Sequence, residues 1–306
     1  MDTALLLTQV INGLQLGVLL FLLSAGLTLT FGIMDLINLA HASFYMLGAF
    51  IGGSLTLYTG SFAVGCVGAL AGVAVIAWLV ERGVIRHLYE RDHLDQLLAT
   101  FGLILIADTL VQLLWGPAGL SVPLPPILNG QLRLGTVQLP TFRLLIIGVG
   151  LLVALALYWM VNKTRTGMLI RAGASNRAML GALGVDVQRL FAVVFTIGAM
   201  LAGLGGLLIA PITEASIGMG NDIIITAFVV VIIGGIGSIK GAFIAALIIG
   251  MIDTFGRAFL DGIFALVMPL ETAETAAPAI SAMLIYLLMA IILVMRPQGL
   301  FPPSLR

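Results

Sequence analysis

The sequence predicts an all-α membrane protein, a polytopic helical bundle with about eight to ten transmembrane helices. Hydrophobic residues make up 60% of its 306 residues and charged residues only 9%, whereas soluble domains carry about 25% charged residues. Its mean hydropathy is +1.18. Most of the apolar residues fall in runs near the length of about 20 residues that an α-helix needs to cross the hydrocarbon core of a bilayer.

Nine runs qualify as spans by their length and apolar content. They cover 9–32, 43–57, 62–80, 96–115, 142–161, 190–210, 223–239, 241–260 and 279–295. The second run is short, and Lys240 alone separates the seventh from the eighth, so counts of eight and ten stay open. Little sequence is left over for a soluble part, and we expect one transmembrane domain over residues 1–306.

Basic residues are concentrated in two loops and near the C-terminus, and the opposite loops hold mainly acidic residues. The basic set is Arg82, Arg86, Arg91, Lys163, Arg165, Arg171, Arg177, Arg189, Arg296 and Arg306. Loops rich in Lys and Arg stay in the cytoplasm. We therefore expect the two basic loops and the C-terminus to be cytoplasmic.

The 37 glycines are spread through the predicted spans. Several are four residues apart, as in Gly13/Gly17 and Gly48/Gly52. This spacing lets helix backbones approach closely, so most of these glycines are predicted to lie at helix–helix contacts.

The longest loop predicted to be cytoplasmic, residues 163–189, contains a short helix. Ser175 is a suitable N-cap, residues 178–183 include good helix formers, and Gly184 fits a helix stop. A helix of barely two turns is marginal by itself, so it needs a surface to rest on.

That surface has two interpretations. Met179, Leu180 and Leu183 are apolar residues among basic ones, a pattern that suits a groove on a cytoplasmic partner protein. The alternative is a connector that packs on its own bundle.

Two stretches interrupt the apolar pattern near predicted spans. In the first, Asp35, Asn38 and His41 are three residues apart, so they would share one face if the segment is helical. Polar side chains at membrane depth usually face a cavity or a partner, which makes these residues candidates for a substrate path. An interfacial turn with solvated side chains is the alternative.

The second stretch is the glycine cluster Gly234, Gly235, Gly237 and Ser238. Glycines there could unwind a helix and expose backbone groups to a substrate, as in transporter binding sites. Close helix packing is the competing explanation.

No motif for catalysis or metal binding is recognisable. The chain has no phosphate-binding loop and no zinc-protease or serine-hydrolase signature, so we expect a protein that is not an enzyme. Its single cysteine excludes an intramolecular disulfide, and its balanced charge gives no reason to expect nucleic-acid binding. A stand-alone carrier or channel is disfavoured because few acidic residues, chiefly Asp108 and Asp253, lie within spans. Asp253 and Arg257 are four residues apart on one helical face, which predicts a mutual ion pair.

Ten segments along nearly the whole chain have a recognisable order. They are Gln9–Gly17 (QVINGLQLG), Ala25–Ile33 (AGLTLTFGI), Ile37–His41 (INLAH), Phe44–Gly48 (FYMLG), Leu97–Gly102 (LLATFG), Trp115–Pro117 (WGP), Arg171–Asn176 (RAGASN), Leu183–Asp186 (LGVD), Gly234–Ser238 (GGIGS) and Arg296–Phe301 (RPQGLF). In sequence and order these segments resemble the branched-chain amino acid ABC importer permeases of the LivH type.

The resemblance implies a permease subunit of an ATP-driven importer in a bacterial inner membrane. Its partners would be a second, LivM-like permease, two cytoplasmic ATPase subunits and a periplasmic substrate-binding protein. ATP and Mg would be bound by the ATPases, with no cofactor in this chain. The loop at 163–189 would supply the helix that couples to an ATPase, with the candidate contacts Ser175, Asn176, Arg177, Met179, Leu180, Leu183, Gly184 and Asp186.

The resemblance implies branched-chain or other hydrophobic amino acids as substrates. Similar permeases also serve urea, amides and aromatic carboxylates, and no residue of this sequence decides among them.

Overall fold

The computed structural model describes residues 3–134, 137–266 and 269–301, which form eleven α-helices and one β-hairpin. The elements are α1 (Thr3–Met34), α2 (His41–Thr59), α3 (Phe62–Gly83), α4 (His93–Trp115), β1 (Gln131–Leu134), β2 (Val137–Pro140), α5 (Thr141–Lys163), α6 (Arg165–Ser175), α7 (Arg177–Ala182), α8 (Val187–Thr213), α9 (Met219–Gly234), α10 (Ile239–Phe264) and α11 (Leu270–Met295). The two strands are antiparallel, with Leu132 opposite Leu139.

The predicted membrane helical bundle is confirmed. Seven helices in the described ranges are long and apolar enough to cross a membrane, namely α1, α3, α4, α5, α8, α10 and α11. The shorter helices α2, with 19 residues, and α9, with 16, lie between them in the chain. Each of the nine predicted spans corresponds to one of these nine helices. The seventh span was placed too far along the chain, because α9 ends at Gly234 rather than at residue 239.

Helices α1 and α8 form the centre of the bundle. In the most apolar 18-residue stretch of each helix, 83% of the residues are buried in α1 and 72% in α8. The corresponding share is 22% or less in α3, α4, α5 and α11. The outer helices present apolar side chains outwards, among them Val67, Leu113 and Leu152. An apolar exterior of this kind is what a bilayer requires, since lipid tails are as apolar as the side chains that face them.

Glycines allow the central helices to touch through their backbones. A Cβ atom placed on Gly48 of α2 would lie 2.1 Å from the carbonyl oxygen of Gly203 in α8. A Cβ atom on Gly17 of α1 would lie 2.8 Å from the Cα atom of Leu247 in α10. These contacts place predicted packing glycines at helix–helix crossings.

The bundle has two distinct ends. At the end that carries the hairpin, Trp115 Nε1 donates to Ser54 Oγ over 2.7 Å, and Arg143 donates to Asn12. We call this the hairpin end. At the opposite end α6 and α7 lie against the start of α8 and the last turn of α1, and we call it the α6–α7 end.

The basic residues of the two predicted cytoplasmic loops belong to the α6–α7 end, as does Arg296, which follows α11. Arg306 lies outside the described residues. That this end faces the cytoplasm stays a prediction.

Candidate functional site

The N-cap of helix α7 lies one residue later than the cap predicted from sequence. Ser175 is the last residue of α6, and Asn176, in an extended conformation, is the N-cap. Asn176 Oδ1 accepts a hydrogen bond from the Met179 backbone N–H over 2.9 Å. The cap is therefore Asn176 rather than Ser175, because the chain leaves the helical conformation only after Ser175.

The three apolar residues of this segment do not share a face. Leu180 is 3% exposed and belongs to the main core, whereas Met179 is 60% exposed and Leu183, directly after the helix, is 74% exposed. The Leu180 side chain points towards Gly173 of α6. In this conformation the apolar pair available to another protein is Met179 and Leu183, and Leu180 fixes the helix to its own bundle.

The segment ends at Gly184, and α8 starts soon after. Gly184 has a φ of 83°, a left-handed conformation that favours glycine. Asp186 caps α8, since its Oδ1 accepts from the Arg189 N–H over 3.0 Å and its Oδ2 pairs with the Arg189 guanidinium over 2.8 Å.

A chain of side chains ties α7 to the end of α3. The Arg177 guanidinium lies 5.5 Å from the ring centre of Phe191, and the Phe191 ring meets Tyr89 edge-on at 5.1 Å. The Tyr89 hydroxyl donates to Glu81 over 2.7 Å, and Glu81 is fully buried. Burial and the neighbouring Glu81 carboxylate raise the pKa of Tyr89, so its hydroxyl stays protonated and able to donate.

Sequence reasoning missed this connection. The only local signal was Glu81, an acidic residue at the end of an apolar run and just before the arginines of the next loop.

Residues 35–40, here called the α1–α2 break, are not helical, so the predicted shared face does not form. Asp35 has a φ of 53° and is exposed, while Asn38 and His41 are fully buried. Asp35 lines a cleft of about 310 Å³ at the α6–α7 end together with Ser175 and Arg177. One cleft thus brings together a residue predicted for the path and two predicted for coupling.

Asn38 and His41 are buried without side-chain hydrogen bonds of normal geometry within the described ranges. A Cβ atom on Gly26 of α1 would lie 2.7 Å from the His41 ring, so helix and ring are in tight contact. Each buried group without a partner costs roughly 1–3 kcal/mol. Hydrogen bonds of normal geometry therefore do not account for the burial of these two polar side chains.

The backbone of the α1–α2 break is held by two buried residues of α4. Gln96 Oε1 accepts from the Ile37 N–H over 3.0 Å, and Thr100 Oγ1 accepts from the Leu39 N–H over 3.3 Å. The Gln96 amide also donates to the carbonyl oxygens of Leu88 and Arg91. Gln96 therefore joins the break to the loop that carries Tyr89. No sequence pattern indicated this role.

The glycine cluster forms the turn between α9 and α10, where Gly235 and Gly237 have φ values of 99° and 83°. A Cβ atom on Gly32 of α1 would lie 2.4 Å from the Gly237 Cα atom. The Leu300 N–H donates to the Ile233 carbonyl oxygen over 2.8 Å.

The same turn is closed by the C-terminal segment and by a helix cap. Phe301 donates its N–H to the Gly234 carbonyl oxygen over 3.1 Å, and Ser238 Oγ accepts from the Gly241 N–H over 3.1 Å. The helix is interrupted at this cluster, and α1 and residues 298–301 pack closely against the interruption. A role of this cluster in binding substrate stays a prediction.

Two acidic residues within the helices have partners. Asp253 pairs with Arg257 over 3.0 Å, as their spacing of four predicted. Asp108 Oδ2 accepts from the Asn221 amide over 3.1 Å, which links α4 to α9. In the part of the chain that the structure describes, no group of three or more His, Cys, Asp or Glu residues is placed to hold a metal ion.

Comparison with known proteins identifies the family. Residues 9–293 match the family model described as branched-chain amino acid transport system / permease component. The chain is 31% identical to the high-affinity branched-chain amino acid transport system permease protein LivH of Escherichia coli K12, over 83% of this chain and 87% of the relative. It is 30% identical to the corresponding protein BraD of Pseudomonas aeruginosa PAO1, over 82% and 86%.

A shorter match, 30% identity over 33% of this chain, links it to the ribose import permease protein RbsC of Escherichia coli K12. No solved structure matches the chain significantly. The family model covers most of the chain, and both long alignments agree with it. The chain therefore belongs to the family of permease components of branched-chain amino acid transport systems.

Proposed function

We propose that this chain is the permease subunit of an ATP-driven importer and forms part of the translocation path for branched-chain or other hydrophobic amino acids. It would act with a second, homologous permease, two cytoplasmic ATPase subunits and a periplasmic substrate-binding protein. ATP and Mg would be held by the ATPases. The family membership and the names of the relatives support this proposal.

The observation that carries the proposal is the outward position of Met179 and Leu183 beside a firmly anchored helix. Leu180 fixes α7 to the core, and Arg177 connects it through Phe191 to the α3 end. An ATPase that binds the two outward side chains would therefore move α7 together with its contacts, because packed elements transmit displacement rather than absorb it.

A displacement of α7 would also shift the α1–α2 break. Asp35 shares a cleft with Arg177, and the break leads directly to the buried Asn38 and His41. We propose that Asn38 and His41 face the path in another conformation, where water or substrate satisfies their polar groups. ATP favours that conformation only to the extent that it binds one state of the ATPase pair more tightly than the other.

Orientation follows from the charge distribution. The α6–α7 end carries the two basic loops, so it would face the cytoplasm of a bacterial cell, with the C-terminus on the same side. The hairpin end would then face the periplasm and receive the substrate-binding protein.

The coupling assignment is tested by co-purification of ATPase subunits with the tagged chain, extracted in mild detergent after crosslinking. We expect Met179→Asp combined with Leu183→Asp to abolish recovery of the ATPases and uptake, because both changes place charge on the docking pair. Leu94→Asp is the matched control, since Leu94 is 66% exposed at the same end but lies outside the 163–189 loop.

Normal ATPase recovery with the double variant would disprove the coupling assignment. Recovery of the wild-type chain as a homo-oligomer without ATPases would instead favour a stand-alone carrier or channel.

The path assignment and the substrate class are tested by uptake. Cells that carry the complete transporter would be supplied with labelled leucine, urea or benzoate, and leucine uptake is expected to dominate. Asn38→Ala and His41→Ala should each reduce uptake while the complex still assembles. Wild-type transport by both variants would show that these residues are structural.

A further inference from the structure

A cleft of about 680 Å³ lies between the end of α3 and the start of α8, at the α6–α7 end of the bundle. Trp78, Arg82 and Arg86 line it on one side, and Arg189, Val193 and Ile197 line it on the other. None of these six residues belongs to the path proposed above. Asp186, a candidate coupling residue, also lines the cleft, so the cleft borders the coupling segment.

The charges of the cleft are only partly neutralised. Arg86 is bound by the buried Glu81 over 3.2 Å, and Arg189 is bound by Asp186 over 2.8 Å. The exposed Arg82 has no carboxylate within ion-pair distance among the residues that the structure describes, and its guanidinium lies 5.1 Å from the ring centre of Trp78. The cleft thus carries a net positive charge centred on Arg82.

The walls change from polar to apolar with depth. Arg82 is one residue from the end of α3, and Trp78 lies one helical turn further in. On α8, Ile197 follows Arg189 by eight residues, about 12 Å along the helix. Val193, between them, is 47% exposed. A ligand here would meet arginines at the surface and a mainly apolar wall further along α8, where Thr196 is the one polar residue of the lining.

We propose that this cleft binds an anionic phospholipid, with its phosphate headgroup at Arg82 and an acyl chain along Val193 and Ile197. Guanidinium groups bind phosphate through paired, charge-assisted hydrogen bonds. Basic pockets between transmembrane helices bind anionic headgroups, and tryptophan is enriched at the level of the headgroups. A soluble phosphate would use the arginines but leave the apolar wall unused. This inference does not depend on the proposed importer function.

The test measures lipid affinity by native mass spectrometry of the full-length protein, delipidated and then titrated with dioleoyl phosphatidylglycerol or dioleoyl phosphatidylcholine. We expect phosphatidylglycerol to bind more tightly. Arg82→Gln should weaken its binding about fivefold, the effect of one basic residue at a membrane surface. Arg82→Lys should give an intermediate result, because it keeps the charge but loses the planar donor pair.

The matched control is Arg91→Gln, which removes an exposed arginine at the same end but outside the cleft. It should leave phosphatidylglycerol affinity unchanged, and size-exclusion profiles should match for all variants. Equal weakening by Arg82→Gln and Arg91→Gln would overturn the proposal, as would equal affinity for the two lipids. Displacement of phosphatidylglycerol by millimolar inorganic phosphate would also overturn it, in favour of a soluble anion. Loss of ATPase subunits from Arg82→Gln without a change in lipid affinity would show a protein contact instead.

Discussion

A close backbone contact between α2 and α8 provides a test of how the helices of the bundle pack. At the crossing of α2 and α8, a Cβ atom on Gly48 would lie 2.1 Å from the Gly203 carbonyl oxygen and 2.3 Å from the Gly203 Cα atom. Both are backbone atoms, so no rotation of a side chain can relieve the clash. Gly48→Ala therefore forces the two helices apart.

The size of the effect follows from this geometry. Contacts of a Cβ atom below 3.0 Å are essentially absent from proteins, so the crossing must open by about 0.9 Å. A gap of this size removes roughly a quarter to a half of the dispersion energy of the contacts that it separates. Together with the strain of an overfilled core, we expect Gly48→Ala to lower the free energy of unfolding by about 1–3 kcal/mol.

The assay is thermal unfolding of the purified protein in detergent, followed by the loss of the monodisperse peak on size exclusion. Gly102→Ala in α4 is the control, because a Cβ atom there meets nothing within 4 Å. The control should be neutral or slightly stabilising, since alanine is a better helix former than glycine. If the two variants unfold at the same temperature, the crossing is not as close as described and the reasoning is refuted.

Three further predictions concern stability. Leu180→Asp should destabilise the protein, because it places a carboxylate in the core, whereas Leu183→Asp should leave the unfolding temperature unchanged in the same size-exclusion assay. Gln96→Leu should speed hydrogen–deuterium exchange in the α1–α2 break, because it unpairs the partly buried Ile37 N–H and Leu88 carbonyl groups. Protection equal to wild type would contradict this role. Arg257→Ala should lower the unfolding temperature more than Asp253→Asn, because the loss of Arg257 leaves the mostly buried Asp253 carboxylate unpaired. A larger effect of Asp253→Asn would show that the carboxylate does not need its partner.

The membrane bundle, and the nine of its eleven described helices that correspond to predicted spans, follow from the amino-acid sequence alone. Hydropathy is a local property, summed over about 20 neighbouring residues, so each span could be located without knowledge of its neighbours. Glycines four residues apart indicated close helix contacts, and the spacing of Asp253 and Arg257 indicated their ion pair. The order of ten family-like segments also pointed to the family that the comparisons show.

Which side chains face outwards and which are buried depends on the packing of the folded bundle. Leu180 and Leu183 look equivalent in the sequence, yet one is in the core and the other is exposed, because the side that a short helix buries depends on what it packs against. The same holds for Asp35 and Asn38, which separate once the chain breaks out of helix after Met34.

Other contacts join residues that are far apart in the sequence. Gln96 binds the backbone of Ile37, 59 positions away, and the ring of Tyr89 meets that of Phe191 on another helix. Hydrogen bonds and ring contacts of this kind depend on distances in space. Patterns along the chain do not contain those distances, and packing of the whole bundle sets them.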